Sequence, residues 1–235
     1  MTVPISKRLQ TVASLIPGKS VVADIGSDHA YLPVFLVQSG KIDQAIAGEV
    51  HEGPYQSALR TVLEYQLQNH ITVRKGDGLE VIQPQEVETI VIAGMGGGTI
   101  LEIIRAGLPK LMGVKRFVLQ PMNHADRLRE FLIQHNWEVA DEELVLEDGI
   151  LYEIIAAEPS PKPQTWENWQ YAVGLRLFEK RHPLLAEKAK LELLRIDRAL
   201  EGLARSHAPD TDKLEQFEML KKKWLEVLDA YGESR

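Results

Sequence analysis

The chain has 235 residues, enough for one α/β domain with a full core and a smaller appendage. Hydrophobic residues make up 44% and charged residues 26%, an ordinary globular composition, and the absence of cysteine excludes disulfides, thiolate metal sites and cysteine nucleophiles. A net charge of −7 argues against a nucleic-acid partner, although a local basic patch could still meet phosphates.

The opening residues, Met1 to Arg8, hold no apolar run long enough for a signal peptide or a membrane span. A cytoplasmic location with no membrane partner is the default expectation. Leu9, Val12, Ala13 and Ile16 recur at helical spacing over 5–16, and Pro17-Gly18 ends that helix. A strand follows at about 20–25, a helix at 31–39 and a second strand at 43–49. The next helix spans about 53–68, with Pro54 as an early helical residue. Strands at 71–74 and 88–93 come next, the latter apolar on both faces as a central parallel strand requires. A helix over 98–110, a strand at 116–120 and a helix over 124–135 continue the alternation. Strands at 137–146 and 151–157 flank Glu147-Asp148-Gly149, where Asp-Gly signals a hairpin. This order predicts a doubly wound α/β sheet of five parallel strands closed by an antiparallel hairpin.

Glu158-Pro159-Ser160-Pro161-Lys162-Pro163 reads as a hinge, dividing the chain into domains 1–158 and 159–235. Beyond it the pattern is helical, over 165–180, 184–206 and 211–231, with a break at His207-Ala208-Pro209-Asp210. Ala189, Leu193, Ile196, Leu200 and Leu203 form a coiled-coil stripe, answered by Leu214, Phe217, Trp224, Leu228 and Tyr231. An antiparallel coiled-coil hairpin is predicted. Residues 1–157 carry the whole net charge, whereas 158–235 balance to zero. Lys180-Arg181, Lys188 and Lys221-Lys222-Lys223 cluster there, either as a solvated helix surface or as a patch for phosphates.

The chemistry concentrates at the strand ends. Asp24-Ile25-Gly26-Ser27-Asp28-His29 is a strand, an acid and a small-residue turn, where a ligand can sit against bare backbone at a helix N-terminus. Glu49 ends the second strand, where a carboxylate can accept both hydroxyls of a ribose. Gly76-Asp77-Gly78 follows the third strand and suits an adenine amino group, or is a simple turn. Together these acids read as a nucleoside cofactor site. Ser27-Asp28-His29 stands where a dinucleotide fingerprint would have its later glycines, which favours S-adenosylmethionine over NAD. Asp24 would then take the cofactor's ammonium, with Gly26, Ser27 and His29 lining the turn. The loop Gly94-Met95-Gly96-Gly97-Gly98 would flank the methyl group and the acceptor pocket, with a phosphate-binding nest as the rival reading. Tyr31 could stack on a flipped base and Asp28 could stabilise charge on the acceptor. Alternatively Asp28 caps the helix and Tyr31 is core.

Several motifs, taken together, resemble the bacterial TrmK family of tRNA (adenine(22)-N1)-methyltransferases. They are Asp24 to Pro33, Gly76-Asp77-Gly78-Leu79, Ile92 to Gly97, Leu119-Gln120-Pro121 and Tyr152-Glu153-Ile154-Ile155. The resemblance implies a Rossmann-like catalytic domain, S-adenosylmethionine as methyl donor, and a C-terminal coiled coil that helps hold tRNA. No metal and no obligate protein partner are expected. Without the resemblance, a methyltransferase of a small molecule or protein, or a non-catalytic adaptor, would remain open.

Overall fold

The computed structural model describes residues 3–205 and 210–232. It separates into two compact units, Met1–Thr165 and Trp166–Arg235.

The first unit is built on one sheet of β1 (Val22–Ile25), β2 (Ala45–Glu49), β3 (Ile71–Lys75), β4 (Thr89–Met95), β5 (Arg116–Pro121), β6 (Trp137–Glu147) and β7 (Ile150–Pro159). Its order is β3-β2-β1-β4-β5-β7-β6. The first five strands pair in parallel, and β7 lies antiparallel to both β5 and β6. This is the Rossmann-like sheet with a closing hairpin. Every residue of β1 and β2 is buried, so their unbroken apolar runs mark strands covered on both faces. Asp148 and Gly149 both have positive φ, 50° and 76°, as a two-residue hairpin turn matched to strand twist requires.

Helices α1 (Lys7–Ser14), α2 (Tyr31–Gln38), α3 (Glu52–Glu64), α4 (Gly97–Ala106) and α5 (Ala125–Gln134) pack around this sheet. The helix expected over 98–110 stops at Ala106 and gives way to a 3₁₀ turn at Leu108–Lys110. At Gly107 a Cβ would collide with the side chain of Leu79, and Pro109 lacks the N–H an α-helix would use. Arg129 of α5 is buried and ties to the hairpin through Glu142 and Glu153, each at 2.5 Å. Burial opposes its charge, but the two carboxylates together hold it above the ordinary guanidinium range. The chain leaves β1 toward β2 on one side and returns through β4 on the other. That reversal opens a crevice at the carboxyl ends of the strands.

The second unit contains α6 (Asn168–Val173), α7 (Leu175–Glu179), α8 (Leu185–Ala204) and α9 (Thr211–Ala230). The single helix expected over 165–180 is two pieces, because Gly174 has φ 90° and breaks the ladder. Helices α8 and α9 pack on each other. Ala189, Leu193, Ile196, Trp224 and Leu228 are buried, while Leu200, Leu203, Leu214 and Phe217 are half-buried. The predicted break at His207-Ala208-Pro209 lies outside the described residues. Among the described residues, no helix is long and apolar enough to cross a membrane.

Candidate functional site

Asp24 is the third residue of β1, buried, and its Oδ2 accepts a 2.6 Å hydrogen bond from Ser27 Oγ. Burial pushes its carboxyl up to about 7; the Ser27 bond opposes the shift and the nearby Glu49 charge adds to it. Glu49 closes β2, is equally buried, and accepts a hydrogen bond from the Asp28 N–H. Burial raises its pKa as well, against that hydrogen bond. Gly26 N and Ser27 N both donate to Gly48 O, at 2.9 and 3.3 Å. Three successive amides of the turn are therefore spent on β2, and the expected bare backbone is not available to a ligand. A pyrophosphate would meet two buried carboxylates and three amides already bonded, which argues against the dinucleotide reading. The turn instead offers acceptors, suited to an ammonium and to hydroxyls.

A cleft of about 380 Å³ adjoins this turn, lined by Gly26, Val50, Asp77, Gly78, Met95 and Ile103 among others. It brings the three acidic strand ends' loops and the glycine loop to one place. Gly26 has φ 71°, and a Cβ there would run into Met95 Cε, so the first turn and the β4–α4 loop touch. Of the apolar walls, Val50 and Ile103 carried no motif, and Leu79 stood in the Gly76-Asp77-Gly78-Leu79 motif without a predicted role.

The β4–α4 loop is held by side chains. Pairing of Ala93 with Gln120 and Met95 with Pro121 leaves Gly94 as a bulge, with φ 77°. Its N–H donates to Gln120 Oε1 at 3.0 Å, and Gly97 N donates to Asn123 Oδ1 at 3.0 Å. Two glycine amides are thereby committed, which weakens the phosphate-nest reading. Gly96 is the residue that caps α4, beside the Asn123 side chain. Asn123 belonged to none of the motifs, and Arg8 and Gln120, though within segments that carry the family resemblance, were given no role. They come from elements that flank the loop rather than from the loop itself.

Asp28, His29 and Tyr31 project from the turn. The Asp28 side chain is 72% exposed and does not cap α2, whose N-cap is Ala30 with φ 57°. Tyr31 is 41% exposed and stacks on His29, with ring centroids 5.2 Å apart and planes at 15°. It is a surface aromatic, not core.

In the helical unit Lys180, Arg181 and Lys222 are exposed. Lys221 pairs with Asp197 at 2.7 Å; Lys223 pairs with Glu226 at 2.9 Å and lies over Trp169. Lys188 is a correction. It is 3% exposed, and its Nζ donates to the Ala172 and Val173 carbonyls at 3.0 and 2.9 Å. It satisfies the end of α6 and is not placed to meet a phosphate.

The sequence profile of the family "tRNA (adenine(22)-N(1))-methyltransferase" matches residues 22–226. The chain is 42% identical over 216 residues to the tRNA (adenine(22)-N(1))-methyltransferase of Bacillus subtilis, covering 90% of each. The crystal structure of the B. subtilis m1A22 tRNA methyltransferase TrmK superposes with a TM-score of 0.88 at 39% identity, over 96% of this chain and 99% of that one. M. capricolum TrmK, solved with the cofactor product S-adenosyl-homocysteine, gives a TM-score of 0.80 at 26% identity, over 96% and 98%.

Proposed function

The chain belongs to the tRNA (adenine(22)-N(1))-methyltransferase family, and from that premise we infer that its site transfers the methyl group of S-adenosylmethionine to N1 of adenine 22 of tRNA. The observation that carries the reading to this site is the first turn. Two buried carboxylates, Asp24 and Glu49, sit beside Gly26 and Gly48, which line the cleft, and three amides of the turn are already bonded, a match for a cationic amino acid joined to a ribose rather than for a phosphate.

In this reading Asp24, oriented by Ser27, takes the ammonium. Glu49 spends one acceptor site on Asp28 N–H and keeps capacity for the ribose hydroxyls. Asp77 and Gly78 meet the cofactor's adenine between Val50, Leu79 and Ile103. Gly26, Gly94, Met95 and Gly96 border the methyl group. Adenine N1 carries a lone pair at neutral pH, so transfer needs alignment for in-line attack more than a strong base. Tyr31, backed by His29, stacks the target base, and Asp28 stabilises the positive charge that the product acquires. Lys180, Arg181, Lys221, Lys222 and Lys223 meet tRNA phosphates from the helical unit, where the charge is balanced rather than acidic.

The test is direct. Purified protein is mixed with unmodified tRNA and methyl-labelled S-adenosylmethionine, the RNA is digested, and nucleosides are resolved by mass spectrometry. Label in 1-methyladenosine is expected, lost when the transcript carries guanine at position 22. Absence of label alongside measured cofactor binding would move the acceptor elsewhere.

A further inference from the structure

Arg8 lies on α1, outside every strand-end motif, yet its Nη1 is 2.5 Å from Gln120 Oε1. The same oxygen accepts the N–H of the bulged Gly94 at 3.0 Å. Gln120 is fully buried, and its Nε2 donates to the Pro121 carbonyl at 3.0 Å. The amide thus has one sensible orientation. Turned over, its NH₂ would face two other donors, Gly94 N–H and the guanidinium, and its oxygen would face a carbonyl. Guanidinium can only donate, so Arg8 selects the orientation that Gly94 needs.

The surroundings of Arg8 fit that task. Its backbone N–H donates to Glu147 Oε1 at 3.2 Å, and its guanidinium lies 5.5 Å from the Tyr152 ring centroid. Among the described residues no carboxylate lies within ion-pair distance of the guanidinium. A cation beside the site of a reaction that creates positive charge is unfavourable on electrostatic grounds alone. Its placement is accounted for by the charge-assisted hydrogen bond to a neutral amide that fixes the loop. The bulge at Gly94 sets the course of Gly94-Met95-Gly96, the segment beside the methyl group in the reading above. A displacement of about 1 Å there is enough to cost about a hundredfold in rate.

We propose that Arg8 and Gln120 are positioning residues for methyl transfer: Arg8 locks the Gln120 amide, and the amide holds the Gly94 bulge and with it the acceptor loop. The proposal rests on the methyltransferase reading. The experiment is steady-state methylation of tRNA by full-length wild type, Arg8→Met, Arg8→Lys, Gln120→Leu and Gln120→Glu. Cofactor affinity is measured by calorimetry and folding by thermal melt in parallel. Wild-type label in 1-methyladenosine establishes the reaction first, so its failure is distinct from failure of the proposal.

Arg8→Met keeps an unbranched side chain against Tyr152 but loses the donor. It is expected to lower kcat about tenfold or more, with the Kd for S-adenosylmethionine and the KM for tRNA within about twofold. Arg8→Lys, still donor-only, should recover part of the loss. Gln120→Glu keeps an acceptor for both donors and should retain more activity than Gln120→Leu. Unchanged kcat in folded Arg8→Met would overturn the proposal. So would a loss carried by the KM for tRNA, which would make Arg8 a phosphate contact, or an equal loss in cofactor affinity.

Discussion

Two glycine-bearing loops leave the ends of adjacent parallel strands, and they are held in opposite ways. The turn after β1 is fastened by main chain and one buried acid: Gly26 and Ser27 donate to Gly48 O, and Asp28 donates to Glu49. The loop after β4 has one main-chain bond, Met122 N to Met95 O, and its glycines are fastened by side chains, Gln120 on Gly94 and Asn123 on Gly97. In the proposed reading the cofactor end is thus part of the sheet, whereas the acceptor end is adjustable one side chain at a time. Cofactor affinity and transfer rate should then be separable by mutation.

Gly97→Ala is the strongest way to probe that division. A Cβ there would stand 2.5 Å from the Asn123 carbonyl oxygen and 3.1 Å from that of His124, and backbone cannot swing aside as a side chain can. We expect kcat to fall about a hundredfold with cofactor affinity nearly intact, read from initial rates beside a calorimetric titration. Asp24→Asn should do the reverse. Losing a charge-assisted contact of about 2 kcal/mol weakens cofactor binding about 30-fold, while kcat at saturating cofactor changes little.

The pH profile sharpens the Asp24 case. An ammonium binds the ionised carboxylate, so wild-type affinity should fall about tenfold per pH unit below about 7, and the Asn variant should lack this slope. Stability runs the other way. A carboxyl raised above its ordinary value holds its proton better folded than unfolded, so its ionisation costs stability as pH rises from about 4 to about 7. Asp24→Asn should therefore melt higher than wild type near neutrality, and the gap should close on acidification.

Asn123→Ala removes one neutral hydrogen bond, and a rate loss of about fivefold is expected, again without a change in cofactor affinity. Gly98→Ala is the smallest: no atom lies within 4 Å of the added carbon, so activity should stay within about twofold. Equal losses of rate and affinity in Gly97→Ala would break the division between the two loops.

The strand-end acids were legible because each is announced locally, Asp24 and Glu49 by the apolar strands that hold them and Asp77 by its flanking glycines. The sheet was legible for the same reason. The role of Arg8 was not, because its partner Gln120 lies 112 positions away and nothing local in α1 shows that its guanidinium turns inward. Lys188 was misread because a lysine on an amphipathic helix looks solvated until the carbonyls of Ala172 and Val173 are brought to it. The broken helix over 165–180 hid behind a single glycine, since Gly174 is tolerated in a helical pattern and only its φ of 90° shows the turn.

The half-ionised state of Asp24 near neutrality has a calorimetric consequence. If the carboxyl sits at about 7 before the cofactor arrives and is fully ionised afterwards, each binding event at pH 7 expels about half a proton into the medium. The heat of cofactor binding then includes the heat of protonating the buffer. Titrations in phosphate and in Tris should differ by about half of the difference between the two buffers' ionisation enthalpies.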